Sequence, residues 1–314
     1  MSERVKVAVR LSAEVERFYA IGRVTGERVI PTNPGVFPIT VEGGKTYYLK
    51  LKSQPPARIE FEHGLLDYLA RRGVPVAPPV KTRAGETVFR TRLGGPFALY
   101  PELRGKRMTS WKPEHLRIYA TFLARLHGVM RGFPGGRSAA GDSDLIKTAL
   151  GAADALLSPA QTPLRELERG LFRAARMEII RTFTPAMRRR TARQIIHRDY
   201  HPWNVKISGG QVSGILDFEM AVRDIRIFDL CYLAGSILSD DFRNARRWPE
   251  RFEIIRGAYE EVSPLNGAEK KCIRAVFLAI GILYTQFLLR QHSVKNALHN
   301  QSVLRWLHDE WKLF

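Results

Sequence analysis

Residues 195–205 read IIHRDYHPWNV, and residues 205–217 continue as VKISGGQVSGILD. No other stretch narrows the possible folds as much. Arg198, Asp199 and Asn204 bring more charge and amide than a core strand tolerates. Ile195, Ile196 and Val205 are more apolar than a surface loop needs. A buried loop that holds polar groups for a purpose requires both features. After it, Val205-Lys206-Ile207 and Val212–Leu216 flank Gly209-Gly210, the pattern of a β-hairpin.

That hairpin would carry Asp217 back beside Asn204. An amide oxygen next to a carboxylate suits a hard cation, and magnesium takes one or two protein carboxylates together with substrate phosphates. Asp199 is then left to accept a proton from an attacking hydroxyl. Phosphoryl transfer needs such a base, metal ligands, and a cation on the nucleotide phosphates. Lys50 is the candidate cation, on a strand-like TYYLKL, with Glu62 on the following helical stretch as its partner. Strand alternation puts Lys50 and Lys52 on one face, so periodicity does not choose between them; the Tyr-Leu-Lys pattern favours Lys50.

Composition excludes several classes. Only two cysteines are present, Cys231 and Cys272, in no ligand-like spacing. That argues against a disulfide framework or a zinc site and fits a reducing cytoplasm. The start, MSERVKVAVRLSAEVERF, lacks the apolar run of a signal peptide. CIRAVFLAIGILYTQFLL (272–289) is apolar, but Arg274, Thr285 and Gln286 interrupt it, so it reads as a buried core helix and no membrane partner is expected. The net charge of +19 suggests polyanions, yet it is spread as +7 over residues 1–95 and +12 over the rest. A nucleic-acid partner is therefore not favoured. The arginine-rich stretch from Arg165 to Arg198 reads as a solvated helix face. An anionic acceptor would suit the basic excess.

The first hundred residues read β-β-β-α-β-β. Phe61, Leu65 and Leu69 mark the helix, Gly73 is its expected cap, and the prolines of GVPVAPPV stop it. Most of the remainder is helical, including 163–190, 249–262, 270–290 and HLRIYATFLARLHGVM, with Gly-rich 135–141 read as a mobile loop. Trp306 and Trp311 read as packing anchors. The expectation is an α+β chain of two lobes: residues 1–100, small and β-rich, and residues 101–314, larger and mainly helical.

The set His-Arg-Asp, four residues, Asn, then Asp-Phe resembles the protein-kinase catalytic set. HRDYHPWNVKI…GQVSGILDFEMA is more similar to the kinase-like small-molecule phosphotransferases: the aminoglycoside phosphotransferase, choline kinase and homoserine kinase group. LARLHG (123–128) resembles the helix behind that group's catalytic loop, Asp229-Leu230 its later Asp-Leu, and FEHGLLDYLARRGVPVAPPV its lysine-partner helix and exit loop. The resemblance implies a protein-kinase-like fold with the nucleotide between the lobes. It implies Asp199 as base, Asn204 and Asp217 as Mg2+ ligands, and Lys50 and Glu62 as the phosphate-side pair. Leu99–Leu103 resembles the hinge, so that Glu102 and Leu103 would meet the adenine edge of ATP through backbone groups; GTP stays open. Acceptors in the group include amino alcohols, sugars, homoserine and aminoglycosides. Asp229 and His197 are expected to brace the loop.

The departures are informative. No G-x-G-x-x-G precedes Lys50, so the turn at Thr32–Gly35 would have to cover the phosphates. His201 stands where protein kinases usually carry lysine, which points to the small-molecule branch. No Asp-Phe-Gly or Ala-Pro-Glu is present, and Trp203 is unexpectedly bulky. The rival readings are a catalytically silent kinase-like binding or coat protein, a stress-type protein kinase of the same superfamily, and a nucleic-acid binder.

Overall fold

The computed structural model describes residues 3–27, 35–91, 94–137, 143–160, 162 and 165–311. Residues 32–34 of the expected phosphate-covering turn and most of the Gly-rich 135–141 loop lie outside the described residues. The chain divides into two compact units. The first comprises residues 1–106, 206–208 and 213–219, and the second holds the rest. The division thus differs from a single cut near residue 100, because much of the hairpin groups with the first unit.

The first unit contains α1 (Glu3–Phe18), β1 (Val24–Glu27), β2 (Val36–Val41), β3 (Thr46–Leu51), α2 (Pro56–Ala70), β4 (Phe89–Thr91) and β5 (Gly94–Pro101). The strands form one antiparallel sheet in the order β1-β2-β3-β5-β4. Helix α1 is absent from the sequence reading. Leu11, Val15 and Tyr19, spaced by four, are buried against Ile39, Leu49, Phe89 and Leu99, so the helical period was present in the N-terminal stretch. Helix α2 opens with Pro56 in its first turn, where the missing N–H costs nothing. It buries Phe61, Leu65 and Leu69 as expected. Gly73, at φ +75°, ends it, with the Val74 N–H returning to the Leu69 carbonyl at 3.1 Å.

The second unit carries α3 (Pro113–Met130), α4 (Leu145–Leu157), α5 (Arg169–Thr182), α6 (Pro185–Arg190) and β6 (Arg193–Ile196). The hairpin β7 (Val205–Ser208) and β8 (Gln211–Ile215) follows, then β9 (Val222–Ile225), α7 (Ile227–Asp240), α8 (Trp248–Glu260), α9 (Gly267–Arg290) and α10 (Val294–Asp309). Strands β6 and β9 pair antiparallel. The single helix expected over 163–190 is two helices, because Pro185 starts a new one and the Thr184 hydroxyl caps it at the Met187 N–H. The arginines of this stretch are tied down in part: Arg176 pairs with Asp154 at 2.8 Å and Arg188 with Asp144 at 2.7 Å.

Helix α9 is long and apolar enough to cross a membrane, but α4, α5, α7 and α10 pack around it. Trp311 stands edge-on to Trp248 at 4.5 Å and to Phe277 at 5.2 Å, a packing role. Asn266 and Glu269 form a capping box at the start of α9. The Glu269 carboxylate also takes the buried Arg226 guanidinium at 2.6 and 2.8 Å. Arg226 immediately precedes α7, so this pair fixes where α7 begins.

Candidate active site

In the second unit the site is built on Asp229, in the first turn of α7 and fully buried. Its carboxylate accepts the backbone N–H groups of His197 and Arg198, both at 2.7 Å. It also takes Nε2 of His127, on α3, at 3.0 Å, while His127 Nδ1 meets the Tyr259 hydroxyl at 2.8 Å. An imidazole protonated at Nε2 satisfies both contacts. Asp229 thus holds the loop's backbone. Arg198 sits at φ +68°, a conformation a long side chain adopts only when its surroundings enforce it. His197 is buried, and its Nδ1 accepts the Asp199 N–H at 3.3 Å, a bracing contact.

Asp199 therefore emerges from a rigid turn. The Asn204 amide donates to its carboxylate at 2.8 Å and to its carbonyl at 3.0 Å. His201 Nε2 lies 3.5 Å from the other carboxylate oxygen. Burial pushes the Asp199 carboxyl up, but the hydrogen bond and charge of His201, the charge of His197 and the Tyr232 hydroxyl outweigh it, and the group lies below its ordinary value. It is held as a carboxylate, the form a base requires.

In the first unit the lysine pairing differs from the expectation. Glu62 takes Lys52, not Lys50, with Nζ at 3.0 and 2.7 Å from its two oxygens. Both residues stand on the face that alternation assigns them. Lys52, just past the end of β3, is the one buried against α2: its side chain is 1% exposed, against 26% for Lys50. Lys50 instead pairs with Asp217. Burial alone would lower the Lys50 ammonium's pKa. The charges of Asp217, Glu219 and Glu62 outweigh that and raise it. Glu62 lies above its ordinary value because burial exceeds the effect of Lys52. Both ammonium groups border the Tyr100 ring, at 5.8 and 6.0 Å from its centroid. Beneath it the Tyr100 hydroxyl meets His63 Nε2 at 2.9 Å, and Thr87 holds Nδ1 at 2.8 Å.

Asp217 has φ +61°, which aspartate tolerates better than most residues. Glu219, two residues on, lies 3.7 Å from Lys52 and accepts Gln54 at 3.0 Å. Among the described residues no three His, Cys, Asp or Glu side chains gather as a metal site. Magnesium needs no such cluster. Asn204 spends its N–H groups on Asp199 and so has its amide oxygen to offer, and Asp217 already balances a cation. Both are donors of the right hardness.

At the expected hinge, the Glu102 N–H is spent on the Thr46 carbonyl at 3.2 Å, and the Glu102 carboxylate accepts the Tyr48 hydroxyl at 3.2 Å. Leu103 packs on Gly214. Gly105 follows at φ +109°, where a Cβ would come within 2.9 Å of the Ile207 carbonyl, so only glycine fits. Trp203 also finds its account: its Nε1 donates to Asp240 at 3.0 Å, and the Arg107 guanidinium covers its ring at 5.2 Å. The sequence reading missed Lys52 as the buried partner, and it missed Glu219, Tyr232 and Asp240. Only Lys52 carried a usable signal, its shared face with Lys50.

A carboxylate on a braced loop, a buried lysine–glutamate pair and an Asp-Phe-Glu segment after a hairpin are the features in hand when the chain is compared with known proteins. The chain belongs to the phosphotransferase enzyme family, whose model matches residues 32–265. Among curated relatives, the homoserine kinase of Gluconacetobacter diazotrophicus is 31% identical over 277 residues, 86% of this chain and 82% of that protein. The homoserine kinase of Methylobacterium radiotolerans is 28% identical over 274 residues, 86% and 81% of the two chains. The fold is that of amicoumacin kinase in complex with AMP-PNP, Ca2+ and Ami (TM-score 0.74, 17% identity, 99% and 96% covered). It is also that of the microcompartment-associated aminopropanol kinase (TM-score 0.66, 15% identity, 96% of each). The expected α+β, protein-kinase-like fold is the one observed, and the enzyme class is a kinase with a hydroxyl acceptor.

Proposed function

We propose that the protein moves the γ-phosphate of ATP to the hydroxyl of a small metabolite, with Asp199 as the base. The acceptor's O–H bond breaks and its proton passes to the Asp199 carboxylate. The freed oxygen bonds to the γ-phosphorus, the bond from that phosphorus to the β–γ bridging oxygen breaks, and ADP leaves with that electron pair. Lys52, oriented by Glu62, takes the role first given to Lys50 and holds the phosphates. Lys50 is the counter-cation of Asp217. Asn204 and Asp217 each have an oxygen of the hardness Mg2+ takes and would be its ligands, and the ion would neutralise charge on the phosphates. With the Glu102 N–H committed to Thr46, the adenine edge would meet the backbone groups of Leu103. The first unit, which includes Leu103 and Asp217, supplies the nucleotide side, and the second unit supplies the base and the acceptor side.

The observation that carries this reading is Asp199 itself: a carboxylate kept ionised despite burial, on a backbone hung from Asp229. The test is Asp199→Asn. Turnover should fall by about 10²–10⁴-fold, the usual worth of a positioned base, while ATP affinity by calorimetry stays within about twofold. EDTA should abolish turnover and Mg2+ restore it. Turnover by Asp199→Asn at the parent's rate would refute the base assignment.

A further inference from the structure

At the start of β6 the second unit opens into a cavity of about 560 Å³, within the ~300–1,000 Å³ of small-molecule sites. It lies at the end of the β6–β9 ribbon where Arg193 faces Ile225. The loop that carries Asp199 leaves the opposite end, after Ile196, so this is a different place from the candidate active site. Five arginines converge on the cavity from three elements: Arg188, Arg189 and Arg190 from α6, Arg193 from β6 and Arg223 from β9. Cations suit the last turn of α6, where they face the negative end of the helix dipole. That accounts for the first three. It does not account for Arg193 and Arg223, which stand on strands and reach the same space only through the fold.

Two carboxylates share the wall, and both are engaged. Asp144 takes Arg188 at 2.7 Å and accepts the Lys147 N–H at 2.9 Å as the cap of α4. Asp224 is buried and accepts the Leu145 and Ile225 N–H groups at 2.8 and 2.7 Å, with the Arg193 guanidinium 3.7 Å away. Arg189 and Arg190 are exposed, and neither side chain has a partner among the described residues. Five guanidinium groups against two carboxylates leave three positive charges in excess. They stand over the buried Ile146, Phe183 and Ile225, and a concave wall of one sign on an apolar floor concentrates its field. The end of the arginine-rich stretch is therefore the wall of a cavity and not only a solvated helix face.

The chemistry of the wall selects its ligand. A guanidinium presents a planar fork of N–H donors that meets phosphate oxygens in pairs, and no lysine is among the described residues that line the cavity. Beyond Arg190 a second hollow of about 440 Å³ lies against Lys271, so the basic surface continues past the reach of a single phosphate. Phe183, the one aromatic side chain among the described lining residues, is 5% exposed. It offers too little face for a nucleobase to stack on, which single-stranded nucleic acid needs.

We propose that this cavity binds a compact anion carrying several phosphoryl groups, held by the arginines of α6, β6 and β9 at a site of its own. The inference stands apart from the phosphotransferase reading, because none of the described residues that line the cavity belongs to the site around Asp199.

Calorimetry on the full chain tests this with tripolyphosphate as the probe, and with citrate and inorganic phosphate beside it at equal ionic strength. EDTA withholds metal from the nucleotide side. Tripolyphosphate should bind at least about tenfold tighter than either of the others, a difference of about 1.4 kcal/mol, and should weaken as NaCl rises. Arg189→Gln/Arg190→Gln should weaken it about tenfold or more. Arg243→Gln/Arg246→Gln removes the same charge from exposed positions beyond α7 and outside the cavity, and should change it less than about twofold. All four side chains are exposed, so both variants should fold; circular dichroism and affinity for AMP-PNP with Mg2+ check that they do. Unchanged binding by the α6 pair would put the probe elsewhere, the nucleotide side included, and overturn the proposal. Equal losses in the two pairs would reduce it to an effect of net charge and overturn it as well. Citrate binding as tightly as tripolyphosphate would sink the phosphoryl class, and inorganic phosphate doing so would sink the requirement for several groups. A short oligothymidylate binding more tightly than tripolyphosphate would make the surface a nucleic-acid contact and sink the compact ligand.

Discussion

Replacing Lys52 by Met tests which lysine the fold commits to phosphate binding. Lys52 and Glu62 are 1% and 6% exposed, so the substitution leaves a carboxylate buried without its partner. Breaking such a pair costs about 3–5 kcal/mol. With a urea m value of about 2–3 kcal/mol/M, the unfolding midpoint of the first unit should fall by about 1–2.5 M. The pH dependence carries a definite sign. Burial already raises the Glu62 carboxyl, and loss of Lys52 removes what opposed it. Its folded pKa then stands further above the unfolded value of ~4.3, so the folded state binds the extra proton. The penalty of Lys52→Met should therefore be greatest near pH 7–8 and shrink toward pH 5. Lys52→Met/Glu62→Met should recover most of the stability, because a well-packed apolar pair commonly replaces a buried ion pair at little cost. It should recover no ATP turnover. Lys50→Met, whose ion pair is 26% and 36% exposed, should cost under about 1 kcal/mol. The probe matters: Trp111, Trp203, Trp248, Trp306 and Trp311 all lie in the second unit. Hydrogen exchange on α2 reads the change where it occurs and is the assay. A Lys52→Met chain within 1 kcal/mol of the parent at pH 7.5, or a double variant with parental turnover, would refute the reasoning.

Three further outcomes follow from the same geometry. Asp229→Asn removes an acceptor from three buried donors, so it should cost about 2–4 kcal/mol in urea unfolding followed by tryptophan fluorescence and lower kcat while ATP affinity holds; parental kcat would show that the loop does not depend on it. Burial and the nearby Lys52 push the His63 imidazole down to about 4, so its contribution of about 3 kcal/mol is complete above the unfolded value of ~6.5 and lost as pH falls toward 4; difference urea curves against His63→Gln should show that slope. The Asp199 carboxyl lies below its ordinary value, so the acid limb that it sets in kcat/KM should fall below pH ~3.9; His201→Asn, which leaves burial less opposed, should move that limb upward.

How much of this was legible in the sequence depends on how local the determining contact is. The hairpin about Gly209-Gly210 and the capped end of α2 were readable because each is set by residues within about a dozen positions, and the loop at 197–204 was readable by its composition, although Asp229, some thirty positions on, holds its backbone. Lys50 and Lys52 were not separable, since period-two alternation gives them one face and only the depth of α2 distinguishes them. Helices α1, α4, α7 and α10 were not read from the sequence. The acceptor side was the least readable part, for a physical reason. Trp203 meets Asp240 across 37 positions, and Asn300 meets Gly281 across 19. Neither contact leaves a pattern in either segment. The contacts among α7, α9 and α10 are therefore settled by packing between distant segments, while the polar loop at 197–204 announces itself in one short stretch of sequence.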